Sequence, residues 1–311
     1  MEQREEELIR LAARVNNQRD LQAFIAMQEA QPQTSGHARE QWNRRAEDWE
    51  RKRLREPKEN WRVEHTVAFL RDRGLLEPHM DIADIGCGPG RFAAAFAHFA
   101  RQVTGFDLSE RMVAYGVEQA KREGVDNVSF RVCDFQTLDV EREGLTGAFD
   151  LVFSSLTPAI RGLDGLGKMM AMSRAWCCCI THLSEEDTLL RRAMEEALGR
   201  TPKPRWSGRW FYSLFNLLFL LGYDPEVSYD RRCREQRIPA ERDQAALLLE
   251  QLLPPEERGE KETEALYRWL RENAGEDDTV LRHSETCYGR VVWDVRRRTD
   301  RPDYGREAGK E

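Results

Sequence analysis

The sequence predicts an α/β protein: a doubly wound, mostly parallel seven-stranded sheet with an N-terminal helical extension and a helical lid insertion. Three observations predict it. From about residue 80 onward, short runs of strand-forming residues alternate with segments of helical periodicity. A glycine-rich turn, Gly86-Cys-Gly88-Pro-Gly90, joins the first strand to the first helix of that alternation. The first three strands each finish at or beside an aspartate, namely Asp84, Asp107 and Asp134.

Residues 1–59 read as the extension. In the first thirty, Leu8, Leu11, Ala12 and Val15 share one helical face, which Leu21, Phe24 and Ile25 continue. A linker, QPQTSGH, follows. A highly charged helix then spans 39–54, with Trp42 and Trp49 seven residues apart on one face. A further helix over 60–73 stops at Gly74 and opens the main domain, expected at 60–300.

Strands are predicted at 82–85, 102–106, 128–132, 149–154 and 176–181, separated by helices at 90–99, 109–122 and 161–174. A helix at 185–198 follows the fifth strand, and an apolar helix at 207–221 leads to Gly222. The last two strands are expected at 226–229 and 288–295. Between them lies a helical insertion at about 238–275, broken by Pro254 and Pro255, and residues 301–311 form a polar tail. Parallel strands joined by helices bury both sheet faces, and right-handed crossovers restrict the strand order to a doubly wound one.

Composition excludes several classes. With 311 residues and a formal net charge of −7, the chain lacks the basic balance of a nucleic-acid binder, so nucleic acid is not an expected partner. The start, MEQREEELIR, has no apolar signal-peptide core, and the longest apolar run, 211–222, is too short to cross a bilayer. A cytoplasmic protein with no membrane partner is expected. Seven cysteines, three of them consecutive at 177–179 and the rest without C-x-x-C spacing, argue for reduced thiols and against a metal site. The amphipathic first helix leaves a homodimer open.

The glycine turn departs from the dinucleotide fingerprint G-x-G-x-x-G. Its third glycine position is Arg91, and Pro89 removes one N–H from the loop. The helix that follows is expected to present free N–H groups to a negatively charged group. The sequence Asp84-Ile-Gly86-Cys87-Gly88-Pro-Gly90 instead resembles the first motif of class I S-adenosylmethionine-dependent methyltransferases, most nearly those of bacterial small-molecule type. The resemblance covers 60–182 by motif and 207–297 in layout only.

That resemblance implies the cofactor S-adenosyl-L-methionine and the product S-adenosyl-L-homocysteine. It implies that Asp84 and the turn residues Gly86, Cys87, Gly88 and Gly90 face the methionine portion. Asp107 would accept from the ribose hydroxyls and Asp134 from the adenine amino group. Leu108, Met112 and Phe135 would pack on the base. Ser154 and Ser155, at the end of the fourth strand in SSLTP, would stand beside the methyl group; neither has a base arranged around it by sequence. His182, after the fifth strand, is the candidate general base. SSLTP is not the Asn-Pro-Pro-Tyr of enzymes that methylate amides or exocyclic base nitrogens.

The expected reaction is methyl transfer to an O, N or C nucleophile of a small-molecule acceptor. Two rivals remain: a non-catalytic S-adenosylmethionine-binding protein, and a nucleotide-dependent oxidoreductase on a similar fold. Walls for the acceptor are expected from Trp42, Trp49 and Trp61 and from Leu248, Leu252, Tyr267 and Trp269 of the insertion. A basic-aromatic patch, PRWSGRW, is a further candidate contact.

Overall fold

The structure is a computed structural model that describes residues 2–29, 38–55, 60–202 and 207–304. Its seven-stranded sheet has the order β3-β2-β1-β4-β5-β7-β6. The strands are β1 (Asp81–Ile85), β2 (Gln102–Asp107), β3 (Val128–Val132), β4 (Phe149–Ser155), β5 (Ser173–Asp187), β6 (Glu226–Pro239) and β7 (Thr279–Asp294). β1 to β5 are parallel neighbours. β7 runs against them. Val295 N–H donates to Ala175 O and Thr188 Oγ1 to His283 O, so rising numbers on β5 meet falling numbers on β7. Arg290 to Ser228 and Ala240 to Asp278 show the same reversal between β7 and β6.

The chain divides into two compact units. The first holds the described residues of 1–181, 209–228 and 290–311. Its core is the parallel sheet, whose β1 and β4 alternate with no solvent face: Ile82, Ala83, Ile85, Leu151, Val152 and Phe153 are all fully buried. Continuous apolar runs of this kind are what two covered faces demand. The covering helices are α4 (Trp61–Asp72), α5 (Arg91–Ala97), α6 (Glu110–Glu123), α7 (Gly162–Met172) and α9 (Arg209–Leu220). Ser109 Oγ accepts the Met112 N–H to cap the start of α6, and Gly124, at φ +68°, ends it.

The N-terminal extension belongs to this unit. α1 (Glu2–Arg14) packs on α7, and α2 (Gln18–Glu29) on α9. α3 (Ala38–Arg55) lies along α6, where Arg39 pairs with Glu110. The predicted single helix over 1–30 is two, parted at Val15–Asn17, where Gln18 Nε2 turns back to bond the Ala12 and Val15 carbonyls. The QPQTSGH linker falls outside the described residues.

The second unit comprises the described residues of 182–208 and 229–289, wider than the insertion expected at 238–275. It has its own core. Leu189, Leu190 and Ala193 meet Leu248 and Leu249 of α10 (Arg242–Leu252) and Leu266, Trp269 and Leu270 of α11 (Glu260–Glu272). A buried ion pair, Arg282 to Asp187 at 2.7 Å, stitches β7 to the end of β5. The helix expected over 185–198 is shorter. β5 runs on to Asp187, which caps α8 (Thr188–Arg192), and a π-helical turn spans Ala193–Ala197. β5, β6 and β7 are each far longer than the predicted segments, because the ends of β5 and β6 and the start of β7 are polar and carry no alternating apolar signature: REQRIP closes β6.

Burial in that second core predicts a cavity penalty. Leu270→Ala should lower unfolding stability by about 3 kcal/mol, read by urea titration of the fluorescence of the neighbouring buried Trp269.

Candidate active site

In an open parallel sheet the ligand crevice lies beyond the carboxyl ends of the strands where the winding reverses. Here the reversal falls between β1 and β4. The glycine turn leaves β1 at that point. Gly86, Gly88 and Gly90 all have positive φ, at +68°, +54° and +72°. A side chain at Gly86 would collide with Thr157 Oγ1, and one at Gly90 would come within 2.8 Å of the Gly116 backbone and of the Phe130 ring. At Gly88 nothing lies within 4 Å of the Cβ position. Two of the glycines are therefore needed for packing, while the third faces open space.

The N–H groups of the turn are spent inside the protein. Gly86 and Cys87 both donate to Phe106 O, at 2.8 and 3.0 Å, and Gly90 donates to Cys87 O. Gly88 donates to Asp107 Oδ2 at 2.8 Å. Ala93, inside the first turn of α5, gives its N–H to Asp84. The N–H groups of Gly86, Cys87, Gly88, Gly90 and Ala93 are thus already used within the protein. The reason is that β2 stands close enough for Phe106 and Asp107 to take them. A phosphate cradle needs those groups outward.

What the turn offers instead is acidic side chains. Asp84 is 1% exposed, its Oδ2 is buried without a hydrogen-bond partner, and among the described residues no cation pairs with it. Burial first, and the nearby Asp107 second, push its carboxyl up to about 8. Asp107 is half-buried, accepts N–H groups from Gly88 and Ser109, and is raised by burial despite them. Burial likewise pushes the Cys87 thiol far up, so it is no thiolate nucleophile. Two carboxylates without a cation beside a cleft suit a ligand that brings positive charge.

The other anticipated cofactor residues gather on the neighbouring strand ends. Leu108 follows Asp107 at the start of α6, where Met112 is buried. Asp134 follows β3 and folds its Oδ1 onto the Gln136 N–H at 3.0 Å, with Phe135 buried beside it. The Cys133 N–H donates to Asp107 O at 2.7 Å, which ties this segment to the end of β2.

At the end of β4 the two serines part. Ser154 sits between Ile85 and Cys179 in the register and is 3% exposed. Its hydroxyl donates to Cys179 Sγ at 3.1 Å, so it serves the sheet interior rather than the cleft. Ser155 Oγ is buried and has no partner. The next residue, Leu156, takes φ +53°, a conformation that costs a non-glycine residue about 1–3 kcal/mol and clusters at functional sites. Thr157 then lays its side chain over Gly86.

His182 belongs to the second unit. Its Nδ1 is 2.7 Å from Ser207 Oγ, and its ring meets Tyr288 edge to face. Leu248 and Trp269, expected as acceptor walls, are buried in that unit's own core, with Leu252 and Tyr267 packed against it. Their apolar periodicity reports helix packing. Trp42 and Trp61 are half-buried, under Arg45 and against His65. The Trp49 side chain and residues 203–206 of the PRWSGRW patch lie outside the described residues.

One contact of the site was not anticipated. Asn43 of α3 accepts the Ser109 hydroxyl at 2.5 Å, two residues beyond Asp107. Ser109 is legible as a helix cap, but nothing local marks a partner 66 residues earlier.

Residues 76–195, which hold the turn and the first five strands up to β5, match the family model described as "Methyltransferase domain". Residues 76–195 thus carry a methyltransferase domain. The chain is 36% identical over 97 residues to a 23S rRNA (uracil(1939)-C(5))-methyltransferase of Alkalilimnicola ehrlichii, covering 31% of this chain and 22% of that protein. The chain spans only about a fifth of the length of the first curated relatives it matches. An uncharacterized methyltransferase of Schizosaccharomyces pombe is 28% identical over 138 residues, 44% of this chain and 86% of that one. Among solved structures, magnesium protoporphyrin IX methyltransferase from Synechocystis with bound S-adenosylhomocysteine aligns over 81% of this chain and 96% of its own, at 15% identity and a TM-score of 0.45. Among the described residues no helix is long and apolar enough to cross a membrane.

Two predictions follow from the carboxylate and the turn. The unfolded Asp84 ionises near 3.9, whereas the folded one holds its proton up to about 8. Between those values the folded state binds more protons, so stability falls as pH rises. Melting temperature of the ligand-free protein should drop from pH 5 to pH 8, and Asp84→Asn should flatten that slope. At the turn, Gly90→Ala should destabilise severely. Gly88→Ala should cost about 1–2 kcal/mol from its left-handed backbone alone yet weaken ligand binding, as thermal melts and calorimetry together will show.

Proposed function

We propose that this chain transfers the methyl group of S-adenosylmethionine to an O, N or C nucleophile of a small-molecule acceptor. The observation that carries the cofactor assignment is the pair Asp84 and Asp107: buried or half-buried acids, no counter-cation, beside a turn whose N–H groups are already used. S-Adenosylmethionine brings a sulfonium and an ammonium to such a site. The open space at Gly88 admits the ligand chain, and the orphaned Oδ2 of Asp84 is an acceptor for a donor the protein does not supply.

When bound, the cofactor supplies an electrophilic methyl carbon on a good leaving group. The work left to the protein is positioning and exclusion of water. In this proposal Asp107 and Asp134 hold the nucleoside and Asp84 meets the ammonium. Leu108, Met112 and Phe135 clasp the base. Ser155, whose hydroxyl is buried and unspent, orients cofactor or acceptor at the end of β4. His182 is the proposed base for an acceptor that is protonated at neutral pH. The Ser207 contact then holds its ring orientation.

A second reading is an RNA acceptor. It is favoured by the relatives named as 23S rRNA methyltransferases, which match over 30–31% of this chain. That similarity weighs against setting nucleic acid aside on charge alone, although the formal net charge of −7 favours a small acceptor.

Calorimetry with S-adenosylmethionine, S-adenosylhomocysteine and NADH is the first test. Micromolar binding of both sulfur ligands, lost by at least 100-fold in Asp107→Ala, is the expected result. Binding of NADH alone would overturn the proposal. Transfer of labelled methyl to a metabolite extract or to total RNA then separates the two acceptor classes, and transfer to neither favours a binding protein without catalysis. Ser155→Ala should lower kcat with little change in cofactor affinity. His182→Gln should lower kcat while leaving cofactor affinity unchanged.

A further inference from the structure

The first unit contains a cavity of about 730 Å³ away from the glycine turn. It lies among α1, the end of α9 and the segment that follows β7. Because β7 is antiparallel, that segment emerges at the amino ends of the parallel strands, as the Val295–Ala175 bond at the start of β5 confirms. The cavity is thus separate from the proposed cofactor cleft.

Four arginines line it: Arg10 and Arg14, one turn apart on α1, and Arg298 and Arg301 from the chain's other end. One carboxylate, Asp300, shares the rim and pairs with Arg298. Arg14 makes no ion pair or hydrogen bond among the described residues. The floor is aliphatic, from Leu11, Val15 and Leu220. In a chain of formal net charge −7, a cavity with four guanidinium groups and one carboxylate runs against the overall balance.

The frame that presents these arginines is built. Asn16 and Asn17, in the α1–α2 turn, donate to the Arg301 and Pro302 carbonyls at 2.9 and 2.8 Å, and Asn17 Oδ1 takes the Tyr304 N–H. Arg301 itself donates to the Phe219 and Tyr223 carbonyls and pairs with Asp224, so it belongs to the frame, and the guanidiniums to consider for a ligand are those of Arg10, Arg14 and Arg298. Thr299 N–H donates to Gly222 O, and a side chain at Gly222, which has φ +97°, would come within 2.5 Å of Thr299 O. The asparagine pair fixes segments 285 residues apart in sequence against each other, and Gly222 fixes the end of α9 against Thr299.

We propose that this cavity binds a small organic phosphate of nucleoside diphosphate type, with its phosphates on Arg10, Arg14 and Arg298 and its base on the aliphatic floor. Guanidinium forks match phosphate oxygens in pairs, and the volume falls within the range of about 300–1,000 Å³ usual for small-ligand pockets. The inference stands apart from the methyl-transfer reading, since it uses none of the same residues.

The test is calorimetric titration of the full chain with ADP, in the presence and absence of saturating S-adenosylhomocysteine. Saturable binding in the micromolar range is expected, unchanged by S-adenosylhomocysteine. It should weaken at least ten-fold in the double variant Arg14→Gln/Arg298→Gln, and inorganic pyrophosphate should bind at least ten-fold more weakly than ADP. An unaltered melting temperature will show that the double variant still folds, and Arg14→Glu alone, at an unpaired surface position, gives a second variant that should also lose binding. No saturable binding at millimolar ADP, displacement by S-adenosylhomocysteine, or indifference to these substitutions would overturn the proposal. Pyrophosphate binding as tightly as ADP would overturn the role of the floor.

Discussion

The Phe106 carbonyl receives two consecutive N–H groups, those of Gly86 and Cys87. That shared acceptor pins the exit of β1 to the end of β2. It sets the left-handed path of the three glycines and aims Gly88 at Asp107. The turn can run so close only because Gly86 leaves room for Thr157 and Gly90 leaves room for Phe130. The same ring fills the space beside Gly105 and Gly116. One phenyl side chain on β3 thus demands three glycines from the turn, from β2 and from α6.

This arrangement has an electrostatic consequence. With its donors turned inward, the crevice presents carboxylates where the dinucleotide folds present N–H groups. Asp84 is stable there only as a neutral acid or beside a bound cation. A cationic ligand is thereby selected by what the backbone withholds as much as by what the side chains offer. The strained Leu156 and the unspent Ser155 hydroxyl, across the crevice on β4, extend the same pattern: local cost retained at the mouth of the sheet.

The second unit follows a different logic. Its helices bury their apolar faces against each other and against the extended ends of the long strands, so their leucines and Trp269 are consumed by packing. Helical periodicity reports that a face is buried but does not say against what. This is why Leu248 and Trp269 looked, from sequence, as suited to an acceptor wall as to a core. The polar outer halves of β5, β6 and β7 escaped notice for the converse reason: strands paired on a surface show no apolar alternation.

The α/β class, the strand–helix alternation, the glycine turn and the three acidic strand ends were legible because each depends on local chemistry. Backbone freedom at glycine, the capping preference of Ser109 and the apolar runs of twice-covered strands are properties of short segments. Contacts between distant segments were not legible. No local signal tells Ser154 to face Cys179 and Ser155 to stay unpaired, or brings Asn43 to Ser109, or Asn17 to Tyr304. Those choices are made by register and by the approach of distant elements. By itself the sequence determined which elements form and which residues line the strand ends; the tertiary structure alone decided which of their polar groups are spent and which remain for a ligand.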